Sequence, residues 1–242
     1  MKKPEKIIRL SGTLLCELFT VITILYLIVT KQYDRLPLAF ATILIVLLPE
    51  IVERLLRCRL SLPLYLFGLL YAVGPMLGQC WNFYYTISWW DKLLHICGGV
   101  MFAIVGLYLF EFLNHSQKNV ILCAVFALCF SMAVSVLWEF VEFGSDRLLH
   151  TDMQDDTVIT SLYSYMLDEG IGVAGKIENI ETVLVNGTPL PAAGYIDIGL
   201  IDTMLDMLLE SLGALFVCVV YLMDGGKHPL IFGADTRRAA KG

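Results

Sequence analysis

The fold of this chain is decided by one stretch, residues 198–223, which reads IGLIDTMLDMLLESLGALFVCVVYLM. The stretch is long and apolar enough to cross a bilayer, yet it carries Asp202, Asp206 and Glu210 at intervals of four residues. Residues four apart lie on the same face of a helix, so these carboxylates form one stripe. A charged side chain at the centre of a bilayer costs about 2.5–3.5 kcal/mol. We therefore expect the stripe to face other helices or a water-filled cavity.

The composition of the whole chain is that of a membrane protein. Of its 242 residues, 57% are hydrophobic and 17% are charged, whereas soluble domains have about 25% charged residues. The hydrophobic residues fall in blocks of about 20, the length that a helix needs to cross a bilayer. We predict an all-α polytopic membrane protein, a single integral membrane domain over residues 1–242 with six transmembrane helices. The predicted spans are residues 7–30, 36–56, 60–79, 91–113, 119–143 and 198–223, with a long extracytoplasmic loop at residues 144–197 between helices 5 and 6.

The basic residues predict the orientation of these spans. Twelve of the 17 lysines and arginines fall at the termini or in connections on the same side, among them three arginines within residues 54–59. Because basic residues accumulate on the cytoplasmic side, we predict a multi-pass protein of the plasma (inner) membrane with both termini cytoplasmic. Glu50, Glu53 and Glu111 are assigned to ion pairs with the three arginines. The predicted partner is the lipid bilayer. Nucleic-acid binding is not supported, because the net charge is −6 and the sequence has no exposed basic stripe.

The long loop contains two further patterns. Residues 155–170, DDTVITSLYSYMLDEG, place acidic residues before apolar residues and predict an N-capped amphipathic helix. Residues 182–190, TVLVNGTPL, predict a hairpin with Asn186-Gly187 at its turn. The seven cysteines of the chain form no CxxC pair, so neither a structural disulfide nor a zinc ribbon is predicted.

Three spans bring polar residues to the same predicted depth near the outer surface. They are Asp91 and His95 at the start of the fourth span, Glu139 and Glu142 at the end of the fifth, and Asp202 and Asp206 at the start of the sixth. The members of each pair are three or four residues apart, so each pair lies on one helix face. We expect Gly98, Gly99 and Gly213 to let the helices approach closely, which would bring the polar residues together.

This cluster predicts a divalent cation site, because so many carboxylates in a low-dielectric environment need shared protons or a cation. The predicted ligands are His95, Glu139, Asp202 and Asp206, and the residues that orient them or act as a base are Glu142 and Asp91. Imidazole mixed with carboxylates suits Zn, Mn or Fe, whereas oxygen ligands alone suit Mg or Ca, so the identity of the metal stays open. The spacing matches no defined metal motif.

Several of these residues also have a structural interpretation. Asp91 can cap the start of its helix, His95 can bond to one carboxylate in the core, and Glu142 can extend from a helix end into the headgroups. The other three acids are harder to explain in this way, because acids inside membrane segments are functional candidates.

Three motifs carry a resemblance to a known family. They are WDKLLHICGG at residues 90–99, LWEFVE at residues 137–142 and DTMLDM at residues 202–207. In these motifs the chain resembles the bacterial inner-membrane YjdF-like family, which has Trp-Asp-x-x-x-His-x-x-x-Gly, Trp-Glu-x-x-Glu and Asp-Thr-x-x-Asp-Met elements. A looser similarity extends to the VanZ-like proteins, but their Gln-x-x-x-x-x-Arg pattern is missing between spans five and six. The resemblance implies a small multispanning plasma-membrane protein with the six polar residues at motif positions, and it implies no reaction.

Three classes of function stay open, and so does whether the protein is an enzyme. In the first, an acidic and His-containing pocket near the outer leaflet binds a divalent cation and acts on, or recognises, an envelope lipid or a lipid-linked precursor. In the second, the same carboxylates relay protons or cations in a coupled transporter. Few polar residues follow Glu210 in its span, which counts against transport. In the third, the polar cluster only joins helices in a non-catalytic scaffold.

Overall fold

The computed structural model describes residues 3–114 and 119–226, which are mostly helical. The α-helices within these residues are α1 (Lys3–Val29), α2 (Leu36–Ile45), α3 (Leu48–Leu55), α4 (Leu62–Cys80), α5 (Phe83–Thr86), α6 (Trp90–Leu113), α7 (Val120–Leu149) and α8 (Leu200–Met223). Lys2, Lys118 and the basic tail after residue 226, which contribute to the predicted orientation, lie outside the described residues.

Six helical segments of the described residues are long and apolar enough to cross a membrane. They are Lys3–Val29, Tyr33–Leu55, Leu62–Cys80, Trp90–Leu113, Val120–Leu149 and Leu200–Met223. They agree in number and order with the six predicted hydrophobic helices. The loop predicted to begin at Gly144 is helical in its first residues, because α7 continues to Leu149. Backbone hydrogen bonds do not require apolar side chains, so the end of an apolar run does not mark the end of a helix.

The described residues form two compact units, whose boundaries fall within α7 and α8. The residues up to Ser135 and from Leu208 onward form the first unit, and Val136–Met207 forms the second. In the first unit the outward side of α1 is apolar, with leucines 10, 14, 18 and 25 all more than half exposed, while Thr13, Thr20 and Thr23 are buried. This distribution is expected of helices that face lipid and pack through small or hydroxyl side chains.

Pro49 divides the predicted second span into α2 and α3. Proline has no N–H group and therefore cannot bond to the carbonyl oxygen of Ile45, so the helix is interrupted at residues 46–47. The proline ring packs over Gly68 of α4, where a Cβ would lie 3.1 Å from Cγ of Pro49. The interruption thus lets α3 lie close to α4.

A buried ion pair joins α1 to α3. Nη1 of Arg9 lies 2.6 Å from Oε1 of Glu53, and the two side chains are only 6% and 10% exposed. Nη2 of Arg9 donates to the carbonyl oxygen of Leu60 and lies 3.1 Å from Oε1 of Glu5. The guanidinium group also covers the ring of Tyr65, 4.7 Å from its centroid. One side chain of α1 therefore fixes α3, α4 and the segment between them.

The ion pairs predicted from the sequence for Glu50 and Glu53 are confirmed only in part. Oε1 of Glu50 accepts a hydrogen bond of 2.7 Å from Arg54, as predicted. Glu53 lies 4.0 Å from Nε of Arg59, but its closer partner is Arg9, 44 residues earlier in the chain. No local pattern indicates that pair, since tertiary packing brings α1 and α3 together.

The second unit contains three two-stranded antiparallel sheets. In these, β1 (Val158–Ile159) pairs with β6 (Tyr195–Ile196), β2 (Ser161–Ser164) with β3 (Gly175–Glu178), and β4 (Leu184–Val185) with β5 (Thr188–Pro189). Asn186 and Gly187 connect β4 to β5 with φ angles of 52° and 80°. Positive φ at both central residues is typical of a tight hairpin turn.

The amphipathic helix predicted for residues 155–170 is wrong, and the all-α prediction does not extend to this region. The segment contains β1, β2 and the short 3-10 turn Tyr165–Leu167. Its β-branched residues cluster at positions 157–160 and favour extended backbone. The side chains of β2 alternate between exposed and partly buried, as in a strand. The pairing strands β3 and β6 come later in the chain, where a local pattern does not reveal them.

Two aspartates hold the chain where it leaves α7 and enters α8. Asp146 of α7 accepts a hydrogen bond of 2.7 Å from the backbone N–H of Met153. Asp197 accepts bonds of 2.8 Å from the backbone N–H groups of Thr157 and Ile201. Because Ile201 lies in the first turn of α8, Asp197 satisfies a donor that the start of a helix leaves without an intrahelical partner.

We expect Asp197→Ala to lower the free energy of unfolding by about 1 kcal/mol, because it removes this capping interaction. Burial raises the pKa of Asp197, but the backbone N–H groups of Ile201 and Thr157 outweigh it and hold the pKa below its ordinary value. The stabilisation is therefore fully present above the ordinary pKa of about 3.9, and it is lost as the pH falls through the lowered pKa. Thermal unfolding at a series of pH values measures this loss. Asp197→Asn, which does not titrate, should lose less stability in acid than the wild type, and equal losses would contradict the assignment.

Candidate functional site

His95 lies between two carboxylates in the first unit. Its Nε2 atom is 3.7 Å from Oδ1 of Asp91, one turn earlier on α6, and its Nδ1 atom is 3.8 Å from Oε2 of Glu210 on α8. These distances exceed the length of a hydrogen bond, so the imidazole lies close to both carboxylates without a direct bond to either at these atoms. The side chains of His95 and Glu210 are 7% and 5% exposed, and that of Asp91 is 25% exposed.

Two glycines allow α6 and α8 to approach backbone to backbone beside His95. A Cβ on Gly99 would overlap the carbonyl oxygen of Glu210, and a Cβ on Gly213 would overlap the carbonyl oxygen of Ile96. The close approach predicted for these glycines is therefore present. It brings Glu210 within reach of the imidazole, because any larger side chain at either position would push the helices apart.

A third glycine, Gly98, packs tightly against Tyr71 near the carboxylate of Glu210. A Cβ on Gly98 would lie 2.9 Å from the hydroxyl oxygen of Tyr71 and 3.6 Å from Oε1 of Glu210. Tyr71 belongs to α4, so a third helix contributes a polar group here. The absence of a side chain on Gly98 thus lets the hydroxyl group of Tyr71 lie close to α6, near the carboxylate of Glu210.

The charges on the two sides of His95 differ. Nζ of Lys92 lies 3.2 Å from Oδ2 of Asp91, so part of the negative charge of Asp91 is compensated within α6. Glu210 is more deeply buried than Asp91. A buried carboxylate needs a nearby positive charge or a proton. Either a protonated His95 or a bound cation next to Glu210 would supply that charge.

The donor set fits a divalent cation in part. An imidazole nitrogen combined with carboxylate oxygens is a ligand set that Zn, Mn and Fe accept. Because the two nitrogens of the ring point away from each other, a cation at either one would take Asp91 or Glu210, but not both. Zinc sites have four ligands, so further donors are needed on either side.

The other predicted site residues belong to the second unit. Glu142 accepts a hydrogen bond of 2.8 Å from the indole N–H of Trp138, one turn earlier on α7. Asp202 accepts a bond of 3.0 Å from the backbone N–H of Asp155. The side chains of Glu139, Glu142, Asp202 and Asp206 are all buried. The interpretation of Glu142 as a residue that extends from a helix end is wrong, because α7 continues for seven residues beyond it.

The structure thus brings together part of the predicted set and adds residues to it. Asp91 and His95 share one face of α6, as their spacing of four residues predicts. Glu210 joins them, although it is not among the ligands predicted from the sequence. The signal for Glu210 was its place in the four-residue stripe of α8. Tyr71 had no such signal, because nothing in the sequence distinguishes it from the ten other tyrosines.

Comparison with known proteins assigns the chain to a family. Residues 12–224 match the model of a family described as "Predicted membrane protein (DUF2238)". No curated protein and no solved structure matches the chain. The match supports the prediction of a membrane protein, whereas the likeness to YjdF-like and VanZ-like proteins stays a prediction.

Proposed function

We propose, from the premise that this chain belongs to the DUF2238 family of predicted membrane proteins, that it binds a divalent cation at His95. The observation that carries the proposal is the position of the imidazole between the carboxylates of Asp91 and Glu210, at 3.7 and 3.8 Å. Such a grouping inside apolar helices is costly unless a cation or a proton compensates it, and ionisable residues in membrane segments are therefore functional candidates.

Each residue has a role in this proposal. His95 supplies a nitrogen ligand, and Glu210 or Asp91 supplies an oxygen ligand. The acids predicted from the sequence to complete the ligand set are Glu139, Asp202 and Asp206. Glu142 orients a ligand or acts as the base. Asp91 has the same role if it does not bind the cation itself. A cation held in this way would polarise a phosphate group or lower the pKa of a bound water molecule.

The substrate class in this proposal is an envelope lipid or a lipid-linked precursor. Six helices long enough to cross a membrane support a site that a lipid can reach from the bilayer. The distribution of basic residues supports a plasma-membrane protein with cytoplasmic termini, which would place the start of α6 at the outer leaflet. Phosphate groups of lipids lie at that depth.

Metal analysis of the purified protein tests the cation. We expect stoichiometric Zn, Mn or Fe in the wild type and an affinity at least about tenfold lower in His95→Ala and Glu210→Gln, since even partners of metal ligands contribute 10–100-fold. Glu210→Gln keeps the shape of the side chain, so it separates loss of the metal from loss of the fold. His150→Ala is the matched control, because His150 is an exposed histidine of the second unit. It should retain the metal.

A wild-type protein without stoichiometric metal, after exposure to Zn, Mn, Fe, Mg and Ca in turn, would overturn the proposal. The same geometry then favours the scaffold, in which a protonated His95 pairs with both carboxylates. In that case Glu210→Gln should lower the thermal stability of the metal-free protein, whereas His150→Ala should not.

A further inference from the structure

One end of the first unit carries a basic surface that the His95 site does not use. This basic end consists of the first turns of α1, residues 54–59 and the end of α6. Its basic residues are Lys3, Lys6, Arg9, Arg54, Arg57 and Arg59, and its acidic residues are Glu5, Glu50, Glu53 and Glu111. Arg9 and Arg54 are paired with acids, and Nε of Arg59 lies 4.0 Å from Glu53. Lys3, Lys6 and Arg57 are exposed, so the outward surface of the basic end is positive.

Arg57 is held in a backbone conformation that side chains rarely adopt. At the end of α3 the N–H of Cys58 bonds to the carbonyl oxygen of Glu53 at 3.1 Å, and the N–H of Arg57 bonds to that of Arg54 at 3.4 Å. This motif places Arg57 at the left-handed position, with φ of 47°, where glycine is the usual residue. Residues kept in such conformations are concentrated at functional positions.

The segment that follows Arg57 is fixed by side chains from three helices. The N–H of Leu60 donates to Glu53 of α3 at 2.8 Å, and its carbonyl oxygen accepts from Arg9 of α1. The carbonyl oxygen of Arg59 accepts from the hydroxyl group of Tyr108 on α6 at 3.2 Å. The arginines of this segment are therefore carried on an ordered backbone, which lowers the entropic cost of binding a ligand.

We propose that the basic end binds the phosphate group of an anionic phospholipid. It lies at the ends of three membrane-spanning segments, which is where lipid headgroups are found. Guanidinium groups match phosphate oxygens through paired hydrogen bonds. Tyr108 follows His95 by 13 residues on α6, about 20 Å along the helix, so this ligand is distinct from the proposed cation.

The test is lipid binding by the full-length protein in neutral detergent, measured by native mass spectrometry. Phosphatidylglycerol should bind more tightly than phosphatidylcholine, whose ammonium group cancels the phosphate charge. Each basic residue near an anionic surface contributes about fivefold in affinity. We therefore expect about a fivefold loss in Arg57→Gly and about a 25-fold loss when Arg59→Gln is added. Glycine suits the left-handed backbone, so Arg57→Gly removes the guanidinium group without straining the fold.

Lys31→Gln is the matched control. Lys31 also follows a spanning helix at a left-handed position, with φ of 59°, but at the opposite end of α1. Its removal should leave the binding of phosphatidylglycerol unchanged. Equal binding of the two lipids by the wild type, or undiminished binding of phosphatidylglycerol by Arg57→Gly, would overturn the proposal. Displacement of the lipid by an equal concentration of inorganic phosphate would also overturn it, because the ligand would then be a free phosphate.

Discussion

Arg9→Met is expected to lower the free energy of unfolding by about 3–5 kcal/mol, measured by denaturant or thermal unfolding in detergent. The substitution keeps most of the apolar stem of the side chain but removes the guanidinium group. Glu53, whose side chain is 10% exposed, would then keep a buried negative charge without its closest partner. The carbonyl oxygen of Leu60 would also lose its donor from Arg9. The large effect thus comes from the groups left behind rather than from the ion pair itself.

Arg54→Met is the matched control for this prediction. Arg54 also pairs with a glutamate, at 2.7 Å from Glu50, but its side chain is 77% exposed. Exposed pairs contribute about 0–1 kcal/mol, so the same substitution should have little effect there. Adding Glu53→Gln to Arg9→Met removes the stranded charge and should restore part of the stability. The prediction would be contradicted if Arg9→Met and Arg54→Met lost similar free energies of unfolding, or if the double variant recovered no stability. Either result would show that Arg9 does not stabilise the buried charge of Glu53.

Gly99→Ala is expected to lower the free energy of unfolding by about 1–3 kcal/mol, because the added methyl group has no room. A Cβ at this position would overlap the backbone carbonyl of Glu210, which cannot rotate away as a flexible side chain would. The two helices therefore have to separate. Since the same contact holds Glu210 beside His95, we also expect the proposed metal affinity to fall in this variant, although no ligand is changed.

Gly144→Ala provides the control for Gly99→Ala. Gly144 also lies inside a helix, but a Cβ there meets nothing within 4 Å. Alanine favours the helix over glycine by about 0.5–1 kcal/mol, so this variant should be slightly more stable than the wild type. The two substitutions are thus predicted to have opposite signs in the same unfolding measurement. A Gly99→Ala variant as stable as Gly144→Ala would mean that α6 and α8 are not in backbone contact at Gly99.

Much of the fold could be predicted from composition and spacing. A helix that crosses a bilayer has to be apolar over about 20 residues, so its signal lies within one segment. The six hydrophobic helices were found for this reason, and so was the shared face of Asp91 and His95. The strands at residues 158–164 were missed because their partners β3 and β6 lie elsewhere in the chain.

The composition of the site was harder to predict than its existence. The sequence indicated that α8 carries a stripe of acids and that glycines on α6 and α8 allow close packing. It did not show which acid of the stripe meets His95, since that depends on how far one helix is shifted along the other. The backbone contact of Gly99 with Glu210 sets that shift.

The membrane character of the chain, its six apolar helices and the recurrence of its acids on single helix faces can all be predicted from the order of the residues. These properties follow from the chemistry of consecutive residues, so no tertiary contact is needed to read them. In contrast, the pairing of Arg9 with Glu53 and the position of His95 between Asp91 and Glu210 are visible only in the folded protein. Such pairs depend on where separate helices meet, because the packing of the backbones determines which charged groups lie within a few ångströms of each other.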